Sequence, residues 1–159
     1  MLNNLHGPIA DIACGGGRNA FYLAEKGAAV IGVDQDIERF ERHRKTLGRR
    51  VRARVNGFRI DLQAEPWPFA RESLGGACLV HFLLPELFPK ICSSLKMGSY
   101  LLIETVGGQG ENYLQLPPRG RLRQRLSRCF EFDVYEERSV GPIGQSAVAV
   151  KLLARKRSK

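Results

Sequence analysis

The chain has 159 residues, of which 43% are hydrophobic and 26% charged, enough apolar content for a sizeable core in one domain spanning residues 1–159. No stretch is apolar enough to span a membrane, and MLNNLHGPIAD lacks the basic-then-apolar pattern of a secretion signal, so a cytoplasmic protein is expected. The formal charge of +9 admits a polyanionic partner without requiring one, and Cys14, Cys78, Cys92 and Cys129 lack the C-x-x-C or histidine spacing of a metal site.

Pro8 to Ala13 reads as a first strand, and Arg18 to Lys26 as a helix closed by Gly27 in the C′ position. The segment DIACGGGRNAFYLA joins them through Gly15, Gly16 and Gly17. Without Cβ atoms such a turn can take positive φ and set bare N–H groups and a helix N-terminus against a nucleotide-like ligand. Ala28 to Val33 is a second strand, closed by Asp34, whose carboxylate could accept from a ribose diol.

Ile37, Phe40 and Leu47 recur near helical spacing, which predicts an amphipathic helix from Ile37 to about Leu47, ended by Gly48. Strand three is expected at Gly57 to Leu62, with Asp61 at its end, followed by a proline-bearing surface loop, QAEPWPFARE. Gly76 to His81 reads as strand four, Glu86 to Leu95 as a helix terminated by Lys96-Met97-Gly98, and Ser99 to Glu104 as strand five. This strict alternation implies an α/β protein with a parallel sheet and helices on both faces. A long loop, VGGQGENYLQLPPRG, precedes a helix from about Arg119 to Cys129. Phe130 to Arg138 and Ser146 to Arg155 are joined too closely for a parallel crossover and should form an antiparallel hairpin.

The spacing of Gly15, Gly17 and Ala20 also satisfies the G-x-G-x-x-A pattern of dinucleotide-binding proteins. Three features argue otherwise: Asp11 inside strand one, Asp61 at the carboxyl edge, and a hairpin in place of a second domain. DIACGGG, Val33-Asp34, RIDL at Arg59 to Leu62, and the stretch from VHFLLPELF to YLLIET occur in an order that resembles the class I S-adenosylmethionine-dependent methyltransferases. ACGGGRNAFYLAEKG is most similar to tellurite-resistance-type methyltransferases and other small bacterial members.

The resemblance implies a Rossmann-like, doubly wound, mostly parallel three-layer α/β/α sheet with a C-terminal antiparallel hairpin. It also implies S-adenosylmethionine as cofactor, with S-adenosylhomocysteine as product. Gly15 and Gly17 would let the backbone approach the methionine portion and ribose, Asp34 would take the ribose hydroxyls, and Asp61 would accept from the adenine amino group. Leu62 would offer its N–H and apolar packing to the ring, and Asp11 would orient the loop or the cofactor's ammonium. Ala13, Cys14, Gly16, Gln35 and His81 are the remaining implied cofactor neighbours, with His81 also a candidate base or acceptor contact.

Arg18 and Asn19 adjoin the glycine loop, and Glu104, Asn112 and Tyr113 border the later loop as substrate-side candidates. The chain departs from the family pattern at Ala13, where the first glycine of G-x-G-x-G is expected, and in SLGGACLVH, where an aromatic-Asp pair is usual. It also leaves no room before Pro8 for the N-terminal helices that cover the cofactor, so those are expected to be missing. No metal site is implied. A small-molecule acceptor is expected, with a nicotinamide-dependent oxidoreductase and a non-catalytic module binding the cofactor or a polyanion as alternatives. Nucleic acid is less favoured as partner, because no aromatic residues interleave with the arginine clusters, and a homo-oligomer is left open.

Overall fold

Among the described residues seven strands share one sheet: β1 (Ile9–Ile12), β2 (Val30–Asp34), β3 (Val55–Arg59), β4 (Leu74–Val80), β5 (Leu95–Glu104), β6 (Phe130–Ser139) and β7 (Val148–Lys156). The computed structural model describes residues 6–107 and 110–158. The N-terminal expectations that fall on residues 1–5, and the placement of Gly108, Gln109 and Lys159, lie outside these.

The strand order is β3-β2-β1-β4-β5-β7-β6. The first five are mutually parallel, and β7 runs antiparallel to both β5 and β6. β1 and β4 are apolar along nearly their whole length because both of their faces are covered. The β6–β7 hairpin alternates instead, with Val148, Val150, Leu152 and Ala154 inward.

Among the described residues five α-helices flank the sheet: α1 (Arg18–Glu25), α2 (Glu38–Thr46), α3 (Arg49–Arg52), α4 (Phe88–Ser94) and α5 (Arg121–Leu126). On one face Ala20, Ala24 and Phe40 pack on Ile9, Val30 and Val55. On the other, Phe88, Ile91, Leu122 and Leu126 pack on Ile12, Leu79, Ile103 and Leu152. These are the three layers the alternation predicts.

Phe40 is fully buried and ties the first face together. Cβ atoms on Gly17, Gly32 and Gly57 would come within 2.7, 2.6 and 2.6 Å of its ring. Three glycines, in the loop after β1 and in β2 and β3, thus form the seat for one aromatic side chain.

Several expected boundaries move. Strand three ends at Arg59, so Asp61 stands in the following turn, and His81 lies one residue beyond β4. The alternation is not strict, because β3 and β4 are joined without a helix. Trp67 and Phe69 of that connection pack on the core, and Trp67 Nε1 donates to Ser94 Oγ at 2.8 Å, so Trp67, held between Pro66 and Pro68, and Phe69 cover part of the face a helix would.

Helix α2 ends at Leu47 with extended ψ rather than at Gly48, which instead precedes the unforeseen single turn α3. The expected helix from Glu86 is a 3-10 turn, Pro85–Leu87, followed by α4. Lys96-Met97-Gly98 lies inside β5, which begins at Leu95, and α5 is shorter than expected. Part of the long loop is a 3-10 turn, Gly110–Gln115.

Candidate functional site

The strand order reverses between β1 and β4, and the loops leaving their carboxyl ends diverge there, which is where open α/β sheets make their crevice. The glycine loop after β1 forms one side. Ala13, Gly15 and Gly17 take left-handed φ of 57°, 52° and 83°. Gly17 is the N-cap of α1 and has no side chain to satisfy the helix's first N–H groups. Asp11 does so from within β1: its Oδ2 accepts from Ala20 N at 3.0 Å, and its Oδ1 from Cys78 Sγ at 3.3 Å.

Asp11 is only 1% exposed, and burial pushes its carboxyl up to about 6 against the two hydrogen bonds that hold it down. The Cys14 and Cys78 thiols are raised by burial and by the Asp11 charge, so both stay protonated and are poor nucleophiles. Asp11, Cys14 and Gly17 are buried behind the loop rather than on its open side.

Asp34 closes β2 and reaches back to the loop. Its Oδ2 accepts from Gly15 N at 2.7 Å and its Oδ1 from Asp36 N at 3.0 Å. Residues of α2 that the sequence reading missed hold the loop from its other side. His43 Nδ1 lies 3.0 Å from Gly16 O, and a Cβ on Gly16 would meet Arg39 Nε at 3.0 Å.

Ala13, Asp34, Gln35, Asp61, Leu62 and His81 line one crevice of about 240 Å³, with Ile60, Gln63 and Phe82 completing it. Asp61 Oδ1 accepts from Gln63 N at 2.9 Å and Ala64 N at 3.3 Å, which leaves Oδ2 for another donor. Gly15, Gly16, Arg18 and Asn19 stand beside the crevice rather than in its lining.

His81 takes a left-handed φ of 59°, fixed by its N–H donating to Glu104 O at 2.7 Å. It also borders a second cavity of about 400 Å³, whose lining includes Glu104, Thr105, Glu136, Arg138 and Lys151. Lys151 pairs in register with Glu104 on β5 and Glu136 on β6, so the three charges form a row across the sheet. Tyr113 packs against Gly141 in the connection between β6 and β7, and Asn112 is exposed. Among the described residues no group of three or more His, Cys, Asp or Glu side chains converges as a metal site, and no helix is long and apolar enough to cross a membrane.

Residues 9–98, more than half of the chain, match the family described as methyltransferase domain. No curated protein matches the sequence. The chain resembles a solved SAM-dependent methyltransferase from Methanosarcina mazei at 20% identity and TM-score 0.72, covering 99% of this chain and 96% of that one. It resembles the geranyl diphosphate C-methyltransferase of Streptomyces coelicolor A3(2), solved with Mg2+, geranyl diphosphate and S-adenosyl-L-homocysteine, at 14% and 0.72, covering 97% and 77%. An S-adenosylmethionine dependent methyltransferase from Mesorhizobium loti is similar at 17% and 0.67, covering 94% and 90%. At these identities the likeness establishes the fold.

Proposed function

The chain belongs to the methyltransferase domain family, and from that premise we propose that its crevice holds S-adenosylmethionine and that the protein transfers the methyl group to a small-molecule acceptor. The observation that carries this reading is the convergence of Asp34, Asp61, Leu62 and His81 on one crevice at the point where the strand order reverses. The family match displaces the nicotinamide-dependent alternative.

The residues present fit the cofactor. Each Asp34 oxygen already accepts one backbone N–H and keeps a further acceptor site for a ribose hydroxyl. Asp61 Oδ2 would accept from the adenine amino group. The Leu62 N–H has no hydrogen-bond partner among the described residues and would face the ring, with Ile60, Leu62 and Phe82 as apolar walls. Asp11 acts on the site by fixing the start of α1 and the loop before it.

When bound, the sulfonium supplies an electrophilic methyl group, so the protein's task is to bind, exclude water and align the acceptor. His81 stands between the crevice and the 400 Å³ cavity, where its ring would orient the acceptor or take its proton. The size and polar lining of that cavity support a small acceptor. The Streptomyces neighbour, whose name gives geranyl diphosphate as its acceptor, is consistent with one.

Incubation with methyl-labelled S-adenosylmethionine and a panel of small polar and prenyl acceptors tests the proposal. Label should pass to at least one panel member. Transfer only to protein or nucleic acid would overturn the small-molecule reading.

A further inference from the structure

Almost all of the protein's net charge resides in one short stretch. From Arg42 to Arg59 there are eight Arg and Lys residues and no Asp or Glu, whereas the rest of the chain carries 17 Arg and Lys against 16 Asp and Glu. The fold gathers most of this charge on one face. Arg52 Nη1 donates to Lys45 O at 3.5 Å, which ties α3 to the end of α2, and Arg54 Nη1 donates back to Arg50 O of the α3 turn at 3.1 Å. Phe40, Leu47 and Val51 take the inner side, and Arg42, Lys45, Arg49, Arg50 and Arg52 are exposed.

These five side chains form no ion pair among the described residues. The other basic regions are engaged in part, although Arg121, Arg125 and Arg128 are likewise exposed and form no ion pair among the described residues. Arg119 pairs with Glu137, Arg155 and Arg157 share Glu131, and Arg123 stacks on Phe132 and Tyr135. Arg44, within the basic stretch, is likewise engaged by Val55 O, Glu41 and Asn56, and Arg59 pairs with Glu65. A solvated surface intersperses both signs; this one concentrates a single sign and leaves it unpaired.

We propose that the α2–α3 face is a docking surface for the sugar–phosphate backbone of a nucleic acid. Guanidinium forks match phosphate oxygens in pairs, and four of the five exposed cations are arginines. A membrane-binding helix would need outward apolar residues to insert, and a protein interface would need an apolar anchor at its centre. Here Leu47 and Val51 are committed to the core, and no other large apolar residue lies between Arg42 and Arg54. The same segment contains no Phe, Tyr or Trp, so backbone contact without base stacking, and hence little sequence preference, is expected. This surface is independent of the cofactor assignment.

The test is fluorescence anisotropy of the full chain with short labelled RNA and DNA duplex of mixed sequence, across a range of salt. Binding should weaken linearly in log–log form with salt. The triple variant Arg42→Ala, Arg49→Ala, Arg50→Ala should lose at least about tenfold in affinity, with a salt slope shallower by about 2 to 3. Arg121→Ala with Arg125→Ala, in the other basic cluster, should stay within about twofold of wild type. Thermal midpoints of both variants should match wild type, because all five substituted side chains are exposed. The proposal is overturned if neither nucleic acid binds at low salt, if the triple variant binds as wild type does, or if vesicles rich in phosphatidylglycerol are bound and nucleic acid is not.

Discussion

Asp34 Oδ2 accepts the Gly15 N–H at 2.7 Å, so one hydrogen bond ties the acidic end of β2 to the glycine loop after β1. The carboxylate fixes the loop with part of its capacity and presents the remainder to the crevice. Asp34→Ala should therefore weaken S-adenosylhomocysteine by about 1.5 to 3 kcal/mol, roughly 10- to 150-fold, by removing a charged acceptor and loosening its neighbour. Isothermal titration of the folded variant would show it, and unchanged affinity would remove Asp34 from the site.

The glycines of the loop are not equivalent. A Cβ on Gly17 would stand 2.5 Å from Phe21 Cζ, whereas one on Gly15 meets nothing within 4 Å. Gly17→Ala should then cost several kcal/mol of fold stability through overpacking at a positive φ, while Gly15→Ala should cost about 1 to 2 kcal/mol from its φ alone. Urea midpoints would rank the two, and equal losses would mean the Phe21–Phe40 seat is dispensable.

The strands, the C-terminal hairpin and the loop–Asp34 pair were legible in the sequence, because apolar runs, a triple glycine and an acidic residue after such a run are local signals. What was hidden depends on contacts across the chain. Gly32 and Gly57 carry no signal of their own in the sequence, and their role as the seat of Phe40 depends on the pairing of β2 with β3 and the packing of α2. The RRVR turn of α3 has a single apolar residue and no period to detect. Asp61 was placed at a strand end because GFRIDL continues the apolar pattern, yet β-pairing stops at Arg59 and Asp61 organises the turn beyond it. The grip of Arg39 and His43 on Gly16 links residues 23 and 27 positions apart, which no local pattern states.

Asp11 makes stability depend on pH. Its carboxyl is raised to about 6 in the folded chain from an ordinary 3.8, so the native state holds the proton more tightly. Between these values, stability should fall as pH rises, by about 3 kcal/mol across the window. Asp11→Asn can still accept from Ala20 N but does not titrate. Urea unfolding of both proteins between about pH 4 and 6.5 should show wild type losing ground to the variant, while parallel pH profiles would mean that Asp11 ionises normally.

His81 is best tested with a residue that tolerates its left-handed backbone. His81→Asn keeps φ near 59° accessible, which Ala would not. Once an acceptor is known, kcat should fall by roughly tenfold or more, with S-adenosylhomocysteine affinity within about twofold of wild type. A wild-type kcat would assign His81 to the scaffold.

The crevice between the glycine loop, Asp34 and the Asp61 turn is proposed as an S-adenosylmethionine site. Calorimetric titration of the wild-type chain with S-adenosylhomocysteine, and separately with NAD and NADP, tests it most directly. S-adenosylhomocysteine should bind saturably and one-to-one, with no heat from either nicotinamide. Binding of a nicotinamide dinucleotide in its place, or of none of the three to folded protein, would contradict it.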